Sequence, residues 1–184
     1  MKEIGPWKLL NDAVVYENPW IKVHHQEVIN PNGNPGIYGK IHFKNLAIGI
    51  IALDDEMNSW LVGQYRYPTE QFSWEIPEGG GKIGIEPLES AKRELLEECG
   101  LKAETWTEIM QMHLSNSVSD ELAIIYVARG LTQHNPEPED TEQLEVKKVA
   151  FHTLVDMVME GKITDSMSVA GILKAHLLHI QGKL

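Results

Sequence analysis

Polar and apolar positions alternate through much of the first half of the chain. Trp20 to Ile29 mixes polar residues with β-branched and aromatic ones at a period near two, which predicts a strand with one covered face. Pro31-Asn32-Gly33-Asn34 follows as a turn. Tyr38 to Phe43 predicts a second short strand, and Leu46 to Leu53 (LAIGIIAL) is apolar almost throughout, as in a strand buried on both faces. Asp54 to Asn58 is a polar turn, and Trp60 to Arg66 is expected to complete a hairpin. Glu78 to Gly84 (EGGGKIG) reads as a glycine-rich loop. The period then changes. Leu88, Ala91, Leu95 and Cys99 form one stripe at helical spacing, Pro87 suits a first helical position and Gly100 a C-terminal cap, so Pro87 to Cys99 is expected to be helical. Strands are expected again at Thr105 to His113, Leu122 to Ala128 and Glu145 to Phe151. Helices are expected at Thr153 to Glu160 and Ser166 to Ile180, on either side of Gly161-Lys162-Ile163-Thr164. The class is α/β, a mixed sheet with helices packed on it. Neither a repeat nor a linker divides the chain, so residues 1–184 read as one domain.

With 184 residues, 42% of them apolar and 23% charged, the chain can bury a single core and is not of the disordered class. No apolar run approaches bilayer length, and the first residues lack the apolar stretch of a signal peptide. Cys99 is the single cysteine, which excludes an internal disulfide. The expected location is therefore cytoplasmic, with no membrane partner. The formal net charge is −11, from 27 acidic and 16 basic residues, and such a field argues against DNA and long RNA as partners. A phosphate ligand would be repelled too, unless divalent cations or local arginine and lysine reverse the sign.

The candidate chemistry lies on the helix at residues 87–99. Residues three and four apart share a helix face, so Glu94 lies one turn from both Glu97 and Glu98, just after Arg93. An acidic run on a helix is ordinarily a solvated face. Here the stripe opposite the carboxylates is apolar and can be buried, which would fix the carboxylates in place. Oxygen donors of this kind suit Mg²⁺ or Mn²⁺, which keep open positions for phosphate oxygens. A glycine-rich segment before the helix lets backbone approach a phosphate or a cation. The eight histidines show no zinc-ligand spacing with cysteine, and the GxxxxGK[ST] phosphate loop is absent.

The stretch Gly79 to Leu101, GGGKIGIEPLESAKRELLEECGL, resembles the Nudix box, GX5EX7REUXEEXGU with U aliphatic. Arg93-Glu94-Leu95-Leu96-Glu97-Glu98-Cys99-Gly100-Leu101 matches at every fixed position, and Gly79 stands at the right spacing. One position departs: the box glutamate falls on Ile85, with Glu86 beside it, out of register by one. Glu86 would cap the helix, where glutamate is a mediocre choice. The departure bears on catalytic efficiency and metal number more than on reaction type. Gln64-Tyr65-Arg66-Tyr67, Ser73-Trp74-Glu75-Ile76-Pro77, Val15-Tyr16-Glu17-Asn18-Pro19-Trp20 and Gly161-Lys162-Ile163-Thr164-Asp165 resemble the ADP-ribose and nucleoside-diphosphate-sugar pyrophosphatase branch of that family.

The resemblance implies a Nudix α/β/α sandwich over residues 45–184 and an N-terminal antiparallel β extension over 1–44 through which two copies pair as a homodimer. It implies metal-dependent hydrolysis of the diphosphate in ADP-ribose or a nucleotide sugar, with Mg²⁺ or Mn²⁺ held by Glu94, Glu98, Glu97 and the backbone carbonyl of Glu78. Arg93 would orient a neighbouring carboxylate. Arg66 would meet the phosphates, and Trp74, Glu75 and Tyr67 join it as candidate substrate contacts, with Trp20 a further stacking candidate. The catalytic base would come from the acidic stretch 137–145, Glu142 before Asp140. Ser115 to Glu121 either borders the pocket or is only a loop. The alternatives are another Nudix substrate (a dinucleoside polyphosphate, a nucleoside triphosphate or capped RNA) and a nucleotide-binding module that does not cut.

Overall fold

A computed structural model of the chain describes residues 1–136 and 144–184. Its centre is a mixed four-stranded sheet in the order β8-β5-β10-β9, built from β5 (Asn45–Ala52), β8 (Glu78–Lys82), β9 (Leu101–His113) and β10 (Leu122–Gln133). β5 and β10 run parallel, and the other neighbours antiparallel. A three-stranded sheet, β11-β6-β7, is formed by β6 (Asn58–Arg66), β7 (Gln71–Glu75) and β11 (Glu145–Ala150). Helices α1 (Pro87–Cys99), α2 (Phe151–Met159) and α3 (Ser166–Ile180) pack on these sheets.

The continuous apolar run of β5 is used on both faces, as its pattern predicts. Ile48, Ile50 and Ala52 meet Ala91, Leu95 and Cys99 of α1, while Ile51 and Leu53 join Leu154 of α2 and Ile172 and Ala175 of α3. The result is an α/β/α sandwich. Gly171 lets α3 approach the sheet, since a Cβ there would already lie 3.2 Å from Ile125.

Several features differ from the sequence expectation, among them β7, for which no strand was expected. Asp54 to Asn58 does form a tight turn, closed by Asp54 N–H to Asn58 O at 3.0 Å, but β5 and β6 do not form a hairpin. Both edges of β5 are already occupied by β8 and β10, so β6 pairs with β7 and β11 instead. The glycine-rich segment Glu78–Lys82 is a strand rather than a loop, held in register against β5. Finally, β1 (Lys2–Ile4) and β2 (Trp7–Glu17) extend the N-terminal sheet beyond the expected strands, giving the order β1-β2-β3-β4 with β3 (Ile21–Ile29) and β4 (Pro35–Phe43). The pairing of β2 with β3 shifts at Leu9/Asn11 and again at Val14/Tyr16, which breaks the period of two that would have marked the strand.

The N-terminal sheet is clasped to the core by the segment before β10. Ile41 N–H donates to Val118 O at 2.8 Å, Asp120 N–H to Ile41 O at 3.2 Å, and the Tyr38 hydroxyl to Ser117 O at 2.6 Å. The Asp120 carboxylate accepts from Phe43 N–H at 2.9 Å and contacts His42 Nδ1 at 2.8 Å and Lys40 Nζ at 3.0 Å. Partial burial pushes this carboxyl up, but His42, the Phe43 N–H and Lys40 outweigh it and hold it at about 2. The folded value lies below the ordinary aspartate value near ~3.9, so its stabilisation is fully present above pH ~4 and drains away as pH falls toward 2. Asp120→Ala is expected to cost about 1–2 kcal/mol at pH 7, with the gap to wild type closing between pH 4 and 2. Urea unfolding at stepped pH measures it, and a gap that does not change with pH contradicts the assignment.

Candidate active site

The carboxylates of α1 are sunk into the seam between that helix and β8. Glu94 is 8% exposed and Glu98 4%, far more buried than charged residues usually are. Local backbone explains how they fit. A Cβ on Gly79 would lie 2.2 Å from the Glu94 carboxyl carbon, so the absent side chain is the space that Glu94 occupies. Glu98 Oε2 accepts from the Glu78 backbone N–H at 3.0 Å, tying the helix to the strand. α1 begins at Pro87 after Glu86, which makes no capping hydrogen bond, and ends at Gly100 with φ +63°. Arg93 spans the outer rim, donating to Glu97 Oε2, Glu94 Oε1 and the Gly80 carbonyl.

A second group of acids adjoins the first. One carboxylate oxygen each from Glu75, Glu78 and Asp165 lie within 4.8 Å of one another. Arg66 braces this group: its Nε reaches the two Glu75 oxygens at 3.0 and 3.1 Å, and its Nη2 reaches Glu75 Oε2 and Glu78 Oε1 at 2.5 and 2.8 Å. Burial drives the Glu78 carboxyl well above the ordinary range, Asp165 and Glu75 push it further, and Arg66 opposes them. Asp165 caps α3, accepting from Ser168 N–H at 2.7 Å, while the Ser168 hydroxyl accepts from Ile76 N–H at 3.0 Å.

The second group opens on a cleft of about 850 Å³, whose wall includes the Gly79 and Gly80 backbone but none of Arg93, Glu94, Glu97 and Glu98. Arg66, Glu75, Glu78 and Asp165 line it, and so do Trp20 and Phe72. Among the described residues, Trp74 and Tyr67 are not on its wall. Trp74 packs edge-on to Phe72 at 5.3 Å with the Lys147 ammonium 3.9 Å from its ring centre, and Tyr67 is 86% exposed on a single 3-10 turn, Tyr67–Thr69. Glu121 also borders the cleft, and burial raises its carboxyl. Glu142 and Asp140 lie outside the described residues. Cys99 is buried on α1, where burial and then Glu98 push its thiol up, so it is unreactive core.

The site therefore contains residues that the sequence pattern did not mark. Asp165 reads in sequence only as a helix cap, and Glu78 was of interest for its carbonyl rather than its side chain. Their meeting depends on the start of α3 being tied to Ile76, just after β7, through the Ser168 hydroxyl, which no local spacing reports.

The donor set fits a hard divalent cation. It consists of carboxylate and carbonyl oxygens, with Oε2 of Glu78 buried and without a hydrogen-bond partner. A sandwich with buried carboxylates beneath an open cleft has the make-up of a hydrolase acting on phosphates. The chain belongs to the Nudix family, whose NUDIX domain pattern matches residues 43–168. The N-terminal domain pattern of nucleoside diphosphate sugar hydrolases matches residues 7–41. An ADP-ribose pyrophosphatase of Mycobacterium tuberculosis is 33% identical over 134 residues, 71% of this chain and 64% of that protein. An ADP-ribose pyrophosphatase of Bacillus subtilis is 28% identical, and a methanol dehydrogenase activator of Bacillus methanolicus 26%, each over 90% of both chains. A crystal structure of an ADP compounds hydrolase superposes over 100% of both chains with a TM-score of 0.86 at 22% identity, a likeness of fold.

Replacing Gly79 by Ala is expected to displace the Glu94 carboxylate and weaken Mn²⁺ binding at least about tenfold. Gly80→Ala serves as the control, because its nearest neighbour is Asn45 Nδ2 at 3.8 Å. Equal Mn²⁺ affinity in the two variants, measured by titration calorimetry, contradicts the fit of Glu94 against Gly79.

Proposed function

We propose that the protein hydrolyses the diphosphate bridge of a nucleoside diphosphate joined to a sugar, ADP-ribose or a nucleotide sugar, using Mg²⁺ or Mn²⁺. Water adds across one P–O bond of the bridge, giving a nucleoside monophosphate and a sugar phosphate. The observation that carries this is the pair of buried carboxylates, Glu94 and Glu98, set against the Gly79 and Glu78 backbone of a strand that lines the cleft. The names of the Mycobacterium tuberculosis and Bacillus subtilis relatives support the substrate class.

In this reading Glu94 and Glu98 are the main metal ligands, with Glu97 and the Glu78 carbonyl adding to them. A cation held there supplies Lewis acidity toward a phosphate oxygen and makes a water more acidic. Arg93 keeps Glu94 and Glu97 in orientation. Arg66, held by Glu75, offers its guanidinium to phosphate oxygens at the cleft wall. Trp20 and Phe72 present flat apolar surfaces to the base. Trp74 is off the wall but packs edge-on against Phe72, whereas the exposed Tyr67 is not brought to these contacts. The proton acceptor is assigned to the acidic stretch, Glu142 before Asp140.

Exposed apolar residues on the N-terminal sheet, among them Leu10, Val14, Val15, Tyr16 and Ile37, suit a second copy of the chain. Among the described residues no helix is long and apolar enough to cross a membrane. A cytoplasmic location agrees with a single reduced cysteine.

Ile85 favours the second reading, a module that binds nucleotide without cutting it. A substrate panel separates the two: ADP-ribose, nucleotide sugars, a dinucleoside polyphosphate and a nucleoside triphosphate, with phosphatase added to release phosphate from the products. Turnover of ADP-ribose or a nucleotide sugar is expected only with Mg²⁺ or Mn²⁺. Glu98→Gln is expected to lower kcat about a thousandfold, the loss of several kcal/mol of transition-state stabilisation, with circular dichroism unchanged. Full activity in that variant contradicts the metal assignment, and nucleotide binding without turnover in the wild type favours the module. Sedimentation of the same preparation is expected to give the mass of two chains, and the mass of one rules out the dimer.

A further inference from the structure

We propose that the side chain of Glu78, with Asp165 facing it, holds a second divalent cation in addition to the one on Glu94 and Glu98. The proposal rests on the metal-dependent reading above and adds a ligand set to it.

The three clustered acids are not equivalent. Both Glu75 oxygens accept from Arg66, and Gln64 Nε2 adds a contact at 3.3 Å. Asp165 commits Oδ2 to the Ser168 N–H, leaving the other oxygen for a cation. Glu78 gives Oε1 to Arg66 but keeps Oε2 buried with no hydrogen-bond partner, on a side chain only 9% exposed. A buried carboxylate oxygen beside two other carboxylates is costly unless a cation or a proton joins it. Donors that are all oxygen favour a hard divalent cation.

Charge points the same way. Among the described residues, six carboxylates of this seam (Glu75, Glu78, Glu94, Glu97, Glu98 and Asp165) meet two guanidinium groups, Arg66 and Arg93. The expected box position cannot supply a ligand, because Ile85 is apolar and 48% exposed, and Glu86 is an exposed helix cap. Glu78 is well placed to do so. Its backbone N–H donates to Glu98 Oε2, which sets this residue next to the α1 carboxylates.

The test is Mn²⁺ binding to the purified whole protein without substrate, by titration calorimetry with electron paramagnetic resonance to count free ion. The wild type is expected to bind two Mn²⁺ per chain. Glu78→Gln, which keeps the backbone carbonyl, is expected to bind one, or to bind the second at least tenfold more weakly. Asp165→Asn should behave alike, since asparagine still caps α3, and it carries the test if Glu78→Gln does not fold. Glu98→Gln should lose the other ion. Two ions bound with unchanged affinity in Glu78→Gln or Asp165→Asn overturn the proposal while leaving the hydrolase reading standing. Unchanged binding in Glu98→Gln as well brings down both.

Discussion

Like charges crowded into a dry seam set the terms for the rest of this molecule. At separations near 4 Å and an effective dielectric of about 20, each pair of carboxylates repels by about 4 kcal/mol. Glu78, Glu94 and Glu98 sit between β8 and α1, with Glu75 and Asp165 next to them. Arg66 and Arg93 brace the two ends. Such a seam persists because the surrounding fold outweighs it, and in the proposed reading cations complete it. A net charge of −11 across the chain makes the same demand at longer range, since a diphosphate approaching this surface needs positive charge at the point of contact.

The frame that holds the seam is the doubly buried strand β5. Its alternate side chains enter two cores, one under α1 and one under α2 and α3, so that the helix bearing the glutamates and the helix capped by Asp165 are fixed to one strand. β8 then brings its glycines against α1. Close approach is the reason glycine is required at Gly79, and also at Gly81, where a Cβ would lie 2.9 Å from Ile48. The clasp through Asp120 joins the N-terminal sheet to this frame, and Trp20, just before β3, lines the cleft.

Much of this frame was legible from local pattern. The run LAIGIIAL announced a strand covered on both faces, and Pro87 with Gly100 marked the ends of α1 to the residue. Glu94, Glu97 and Glu98 were visible because helical spacing and a long motif name them together. The hairpin from β5 to β6 was misread because pairing depends on which edges other strands have taken, and β8 and β10 come later in the chain. EGGGKIG was read as a loop because glycine signals backbone freedom, whereas here it answers the need of a neighbouring side chain. β2 went unread because two register shifts erase its alternation. Asp165 and the Glu78 side chain are brought together only by packing between elements about ninety residues apart, which one sequence does not encode in any spacing.

The most direct test of the central claim is the thermal midpoint of the whole protein in a chelator, compared with the midpoint in excess Mn²⁺ and without substrate. A cation that binds the folded seam at a hundred times its Kd adds about 2.7 kcal/mol, which for a chain of this size raises the midpoint by roughly 5–10 °C. A rise of that order that saturates with Mn²⁺ is the predicted result. An identical midpoint in chelator and in Mn²⁺ would mean that the buried carboxylates are content without a cation, and would contradict the account.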